Sequence, residues 1–352
     1  MSDAHPKLDE FMEKMLGDLG TAFSAVLVVV GDKLGLYKAL ADSGPATPAE
    51  LAERTATDER YVREWLAAQA AAGYVDYDRE AGRYRLNPEQ EMVFADSASP
   101  VFAPGAFEVI SDAFACEPKI TNAFRTGSGV GWEEHTPSLF RGTERFFRPA
   151  YAARLVSEWI PALEGVQQKL ESGARVADVG CGHGSSTVLM AQAFPSSRFT
   201  GFDFHPPSIE RAREAAAEAK VLDRVRFEVA AASSFPGSGY DLVTVFDCLH
   251  DMGDPAGAAA HVREALDPDG TWMIVEPFAH DGVHENLNPV GRLYYAASTM
   301  ICTPASRSQE VGLCLGAQAG ERRLFEVIEA GGFTRIRRAT ETPFNLIIEA
   351  RP

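Results

Sequence analysis

Two groups of residues have the types and spacing to do chemistry. The first is the glycine run in RVADVGCGHGSST (175–187), where Gly180, Gly182 and Gly184 alternate after an apolar stretch carrying Asp178. Glycine permits a tight turn and removes the Cβ that would keep a ligand from the backbone. A second strand-like run, SRFTGFD, ends at Asp203, and 203 − 178 puts it 25 residues after Asp178. An acid at the tip of the second strand is placed to take both hydroxyls of a ribose. A loop of this kind also connects strand to helix while holding nothing, but the acid and the strands behind it favour a nucleoside. The second group is His250 in DCLHDMGD and Glu276 in TWMIVEPF, each at the end of an apolar run. A histidine beside a carboxylate exchanges protons near neutral pH, although a histidine in such a place is often only a hydrogen-bonded structural residue.

The elements that must position these residues follow from the patterning. From 174 onward the runs ARVADVG, SRFTGFD, VRFEVA, YDLVTVFD and GTWMIVE alternate with helical patterns or turns, which means βαβ units and a parallel sheet. Strand tips in such a sheet gather at its carboxyl edge, so Glu276 is placed to orient the His250 ring. The end of the chain, GGFTRIRRATETPFNLIIEARP, reads as two strands with no helix between them, making the last strand antiparallel. The expected fold class is α/β, a Rossmann-like doubly wound seven-stranded sheet.

The first third reads as helix. Residues 19–42 are apolar nearly all round, as in a helix buried between partners. Thr47 and Glu50 form a capping box for a short helix ending near Thr55. A helix over about 58–72 is expected to carry Tyr61, Val62, Trp65 and Leu66 on one face, and YVDYD with RYRL to form a hairpin. Two helices and a hairpin make a winged helix-turn-helix. The expected domains are 1–95, winged-helix-like and serving dimerisation; 96–165, a helical linker and substrate-pocket segment; and 166–352, the cofactor-binding domain.

Composition bounds the function. The 352 residues hold 33 Lys+Arg against 50 Asp+Glu, a net charge of −17, which argues against nucleic acid as the main ligand. Cys116, Cys181, Cys248, Cys302 and Cys314 are scattered, with no paired spacing. That pattern fits free thiols in a reducing cytoplasm and no structural metal. The start lacks the order of a signal peptide, and the apolar stretch 22–30 is short for a membrane span. A soluble cytoplasmic protein is expected.

The loop departs from the dinucleotide fingerprint, since position 185 is serine and Asp178 stands beside the glycines, where it would repel a pyrophosphate but suit a cationic amino-acid-bearing ligand. DVGCGHG, the Asp203 tip and the closing hairpin resemble class I S-adenosylmethionine (SAM)-dependent methyltransferases. With its winged-helix-like front the whole chain is similar to the small-molecule O-methyltransferase type, and more so to a group of actinobacterial methyltransferases sharing FDCLHDMGDP and NPVGRLYYAASTMICTPAS.

The resemblance implies SAM as cofactor and S-adenosylhomocysteine as product. It places Asp178, Gly180, Cys181 and Gly182 beside the methionine and ribose portions, Asp203 on the ribose and Phe204 on the adenine. The third strand usually ends with an Asp for the adenine; here the slot is Ala231, leaving Ala231, Ala232 and Ser233 to recognise it. Asp247 joins the cofactor set, and Asp251 is expected on the adenine side. LHDM stands where the family carries its H-D-W stretch, which makes His250 the general base and Glu276 its assisting acid. Glu321 is the nearest candidate for a second acid, and His183 is a loop contact or an alternative base. Trp132, Phe146, Phe147, Tyr151, Tyr294 and Tyr295, with His135, Phe140, Met300 and Cys302, are candidates for a large apolar acceptor pocket; core packing is the competing reading for each. The expected activity is methyl transfer to oxygen of an apolar or aromatic small molecule by a homodimer. Transfer to nitrogen or carbon, and a SAM-sensing winged-helix regulator, are the alternatives.

Overall fold

In the computed structural model, which describes residues 6–352, the chain divides into two compact units. The first comprises residues up to Asp112 together with Arg141–Pro149; the second comprises Ala113–Phe140 and Ala150–Pro352. The segment 96–165, expected as a separate linker, is thus shared between them.

The first unit opens with α1 (Pro6–Lys33) and α2 (Leu36–Ser43), where one helix was expected over 19–42. The break falls at Gly35, whose φ of 69° is left-handed. Val28, Val29, Leu36, Tyr37 and Leu40 are buried, but Leu16, Leu19, Phe23 and Val26 are exposed, so α1 is not enclosed all round. The stretch Lys7–Lys33 is long and apolar enough to cross a membrane by length and composition, and 22% of its most apolar window is buried. The apolar run 22–30 is therefore part of a longer continuous helix than its own length implied.

Next come α3 (Pro48–Thr55) and α4 (Glu59–Ala71), then the hairpin of β1 (Asp76–Asp78) and β2 (Arg83–Arg85), then α5 (Pro88–Phe94). The Thr47–Glu50 capping box forms in both directions. The Arg83 guanidinium grips both Glu50 oxygens at 2.8 and 2.7 Å, tying the hairpin to the helix start. On α4, Val62, Trp65 and Leu66 are buried, whereas Tyr61 is 81% exposed, contrary to its expected place on the inner face. Pro104–Thr126 is α6 and Pro137–Arg154 is α7. Residues 141–149 join the first unit because Glu108 is buried and accepts from Arg141 (2.6 Å) and Arg145 (3.1 Å), while Arg145 also donates to Asp32 (2.7 Å). A buried carboxylate demands such partners.

The second unit is built on a seven-stranded sheet: β3 (Arg175–Val179), β4 (Arg198–Asp203), β5 (Val225–Val229), β6 (Tyr240–Phe246), β7 (Leu266–Pro277), β8 (Arg335–Glu341) and β9 (Asn345–Arg351), in the order 5-4-3-6-7-9-8. The pairs joining β5, β4, β3, β6 and β7 are parallel, and β9 runs antiparallel to both neighbours. α8 (Val166–Ser172) leads into β3, and between the strands run α9 (Ser185–Ala193), α10 (Pro206–Glu218), α11 (Pro255–Ala265), α12 (Pro289–Ala297), α13 (Thr303–Ser308) and α14 (Glu321–Ala330). Central strands covered on both faces read as continuous apolar runs, and LVTVF of β6 and WMIV of β7 are buried throughout. Trp272 is fully buried against Phe333 (5.2 Å between rings), and cutting it to alanine costs about 3–5 kcal/mol. The strand order reverses at β3, so the carboxyl ends of β3, β4 and β6 border the crevice where such sheets bind ligands.

Candidate active site

The glycine loop leaves β3 at this switch point. Gly180 and Cys181 both donate their backbone N–H to Phe202 O on β4, at 2.7 and 3.0 Å, which folds the loop against the sheet edge. Gly180 and Gly182 have φ of 72° and 52°, where side chains are strained. A Cβ on Gly180 would lie 2.5 Å from Cys248 Sγ, so that glycine is required by the neighbouring strand end. A Cβ on Gly182 would meet nothing within 4 Å. The loop therefore presents bare backbone to open space at this one position.

Asp203, at the β4 tip, is nearly buried. Its Oδ2 accepts from Gly182 N and its Oδ1 from His205 N, both at 2.9 Å. Burial raises its pKa and these two donors pull it down, with the net above the ordinary value. Each carboxylate oxygen keeps a further lone pair for a hydroxyl. Phe204 follows, 49% exposed, and Ala231, Ala232 and Ser233 lie just past β5, with Ala231 and Ser233 exposed.

Asp178 sits deeper than the resemblance implied. Ser186 (2.7 Å) and Thr187 (2.5 Å) donate to its Oδ2 and Thr244 (2.9 Å) to its Oδ1. It straps the start of α9 and strand β6 to β3. Cys181 is buried, and burial pushes its thiol pKa well up, so the loop uses its backbone. Asp247 ends β6 in a left-handed conformation (φ 49°). It accepts from Tyr151 Oη (2.7 Å) and Asn345 Nδ2 (3.1 Å). Burial first, and the Glu276 charge among the rest, push its pKa up to about 7.

His250 lies in the short 3-10 turn Leu249–Asp251 after β6, and Glu276 on the adjacent strand β7. Both are buried. Glu276 Oε2 lies 2.6 Å from His250 Nδ1, and Glu276 Oε1 accepts from Leu249 N at 2.9 Å. One carboxylate thus fixes both the turn and the ring. On the other side Asp251 Oδ1 is 3.2 Å from His250 Nε2. Burial pulls the imidazole pKa down, Asp251 and Glu276 raise it further, and the result is well above the ordinary histidine value. Asp251, expected on the adenine side, instead belongs to this cluster, because its short turn aims the carboxylate at His250 and Cys302. Glu321 lies elsewhere, bonded to Arg338 at the start of α14. His183 is half-buried in the loop, close enough to Asp203 to favour its ionised form.

The aromatic candidates separate. Phe146 and Phe147 pack edge to face in the first unit (5.0 Å). Trp132 contacts Phe140 (5.6 Å), which stacks on His205 (4.6 Å) beside the β4 tip. Tyr151 is buried against Phe246 and Trp159. Tyr294 is buried and donates to Phe344 O (3.1 Å), while Tyr295 is half-buried. Met300 packs on Cys116, Ile120, Ala123 and Val130, in a small core of its own. Two residues near the histidine gave no sign of that position in the sequence. Cys302 joins His250 and Asp251, and Gln309 grips the turn through Asp251 O and Gly253 N, each at 2.9 Å.

Residues 170–328 match the family model of a methyltransferase domain, and residues 22–95 match that of an Rv2258c-like winged HTH domain. The mitomycin biosynthesis 6-O-methyltransferase of Streptomyces lavendulae is 25% identical over 264 residues, 72% of this chain and 74% of that protein. The 27-O-demethylrifamycin SV methyltransferase of Amycolatopsis mediterranei is 35% identical over 131 residues; the match covers 35% of this chain and about half (48%) of the relative. The structure of the mitomycin 7-O-methyltransferase MmcR shares the fold at a TM-score of 0.71 and 21% identity, over 98% of this chain and 99% of that one. Human N-acetylserotonin methyltransferase in complex with SAM does so at 0.70 and 15%, over 100% and 99%. The loop backbone opening at Gly182 and the Asp203 carboxylate fit the nucleoside end of SAM, the cofactor. The chain is accordingly a SAM-dependent methyltransferase, with its methyltransferase domain at 170–328 and a winged HTH domain at 22–95.

Proposed function

We propose that the chain transfers a methyl group from SAM to an oxygen of an apolar or aromatic small molecule, with His250 as general base and Glu276 as the group that orients it. The observation that carries this reading is the buried 2.6 Å contact between His250 Nδ1 and Glu276 Oε2 at the carboxyl ends of β6 and β7. SAM, when bound, supplies a methyl already activated on a sulfonium. What remains for the protein is to place the acceptor and take its proton. A hydroxyl needs that help, and a well-placed base contributes about 10²–10⁴-fold. Glu276 fixes the ring so that Nε2 points to the Asp251 side, where the acceptor hydroxyl would approach, and its charge stabilises the imidazolium formed when the proton arrives. The names of the mitomycin and rifamycin relatives also point to oxygen.

Asp203 would hold the ribose, Gly180 and Gly182 the methionine side, Phe204 the adenine face, and Ala231–Ser233 its edge. Asp178, Cys181 and Asp247 act from behind by holding the loop and the strand ends in place. Tyr294 and Tyr295 are the acceptor-side candidates after β7. For the winged helix, Arg60 pairs with Glu64 and Arg63 with Glu59 on the same face of α4, which leaves little net positive charge for DNA phosphates. That favours the enzyme reading over a DNA-binding regulator. The same reading makes the chain a cytoplasmic homodimer.

The test offers methyl-labelled SAM with phenols, hydroxyquinones, anilines and activated carbon acids, to wild type and to His250→Ala. Label on oxygen in wild type, with a loss of about 10²-fold or more in the variant, is expected. Label on amines or carbon alone, or a variant within about tenfold of wild type, overturns the proposal.

A further inference from the structure

Three electron-pair donors converge where the proposed base meets the segment after β7. His250 Nδ1 is committed to Glu276, which leaves Nε2 toward Asp251 Oδ1 at 3.2 Å. Cys302 Sγ completes the set, with the three ligand atoms within 4.8 Å of one another. His250 and Cys302 are buried, and the Asp251 side chain is one-fifth exposed, giving a route in from one side. Asp251 Oδ1 is itself enclosed, with His250 Nε2 close on one side and the Cys302 thiol near enough to interact with the carboxylate. An imidazole nitrogen and a carboxylate oxygen face each other there, with a sulfur beside them, and each offers a lone pair once the nitrogen and the thiol give up their protons.

We propose that His250 Nε2, Asp251 Oδ1 and Cys302 Sγ form a binding site for a thiophilic divalent cation of the zinc class. Zinc takes imidazole nitrogen, carboxylate oxygen and thiolate sulfur, at about 2.0–2.3 Å. Tetrahedral coordination at that length sets ligand atoms about 3.5 Å apart, so the cluster needs only a small closure. Magnesium and calcium prefer all-oxygen sets and are disfavoured. The support behind the ligands is built as in metal sites: Glu276 takes the second ring nitrogen of His250, fixing which nitrogen points inward. A π-helical turn, Ser298–Cys302, delivers the sulfur, and Gln309 bonds the Asp251 carbonyl. With three protein ligands the fourth position stays open to water or an acceptor hydroxyl. On binding, the thiol proton and the proton on His250 Nε2 leave to solvent, and no electron moves. An ion on Nε2 occupies the lone pair that proton transfer would use, so zinc inhibits the methyl transfer reversibly; that last clause rests on the function proposed above.

The experiment titrates the chelator-treated full-length chain with Zn²⁺ against a chromophoric chelator, and with Co²⁺ by absorption. One ion per chain and a thiolate-to-cobalt charge-transfer band are expected. Cys302→Ser weakens zinc at least about 100-fold and abolishes the band, while Glu276→Gln weakens it about 10–100-fold. Cys116→Ser, which alters the separate Cys116–His135 contact (3.4 Å), leaves it unchanged. No stoichiometric ion in wild type, no charge-transfer band, or binding lost in Cys116→Ser and kept in Cys302→Ser overturns the site. Absence of the band in wild type overturns the site even if a variant fails to fold, and a band lost in Cys116→Ser assigns the ion to the other thiol–histidine pair and overturns it too. Zinc that binds at Cys302 yet leaves methyl transfer intact refutes the base role of His250 and leaves the metal site standing.

Discussion

Replacing Asp247 by asparagine isolates one buried charge. In the native chain its pKa is pushed up to about 7, first by burial and in part by the Glu276 charge, despite the hydrogen bond from Tyr151. An unfolded aspartate titrates near 3.9. Between those values the folded chain holds a proton that the unfolded chain has released. Stability therefore falls as pH rises through this window, by up to about 1.4 kcal/mol per pH unit. Over about three units the ceiling is roughly 4 kcal/mol, and about 2 kcal/mol survives if water partly screens the site. Asparagine is nearly isosteric, tolerates the left-handed backbone found there, and keeps one acceptor for Tyr151 or Asn345. It carries no charge to bury.

The assay is urea unfolding of wild type and Asp247→Asn from pH 4 to pH 8, followed by tryptophan fluorescence. Trp159 sits 5.9 Å from the Tyr151 ring and reports on this region. The difference in unfolding free energy is expected to shift toward the variant by about 2–4 kcal/mol across the range. His250 contributes in both proteins. Its raised pKa gives stability that is complete below about 6.5 and is lost as pH climbs through the folded value; the part common to both proteins drops out of the difference, which leaves its coupling to Asp247. Two curves that stay parallel within about 0.5 kcal/mol would refute the argument that Asp247 is buried at an electrostatic cost.

Three further outcomes follow from the same geometry. Asp203→Ala removes a carboxylate proposed to hold two ribose hydroxyls; at about 1.5–3 kcal/mol for each charged hydrogen bond, S-adenosylhomocysteine binding by calorimetry should weaken about 10²–10⁴-fold, and a change under about threefold would sink the ribose role. Gly182→Ala places a side chain in a left-handed backbone, at a stability cost of about 1–2 kcal/mol, and should cost about tenfold or more in cofactor affinity as well; unchanged affinity would show that no ligand approaches this backbone. The methyl-transfer rate should rise with pH through an ionisation well above the ordinary histidine value, because Asp251 and Glu276 hold the proton on His250; Glu276→Gln should move that inflection to lower pH, and a flat profile would exclude His250 as the titrating base.

What could be read from the sequence divides along a physical line. A parallel sheet turns long separations into one rule, that successive strand tips share an edge. Asp203, His250 and Glu276 were therefore placeable at that edge from apolar runs alone, and the three-residue turn (342–344) that links β8 to β9 leaves those strands antiparallel for want of a crossover helix. Capping chemistry is equally local, so Thr47 and Glu50 marked α3. Tyr61 failed because its position one residue before Val62 fits a helical face of four, while the packed face is the narrower one of Val62, Trp65 and Leu66. Cys302 was read as an acceptor-pocket candidate, and its place beside His250 was not legible for a different reason. It lies 52 residues beyond His250, past β7 and α12, and it arrives there through a π-helical turn and the Gln309 clamp, neither of which has a period to detect. Asp251 was misplaced for the same cause: in a three-residue turn the side chain's direction is set by the segment packed on it, and that segment is Ser298–Gln309. The sheet edge decides which groups can meet, whereas the insertion after β7 decides what surrounds them. Acceptor choice and metal affinity should therefore respond to substitutions in residues 283–318 far more than cofactor binding does, since the cofactor end is held by strands β3 and β4 and their loop.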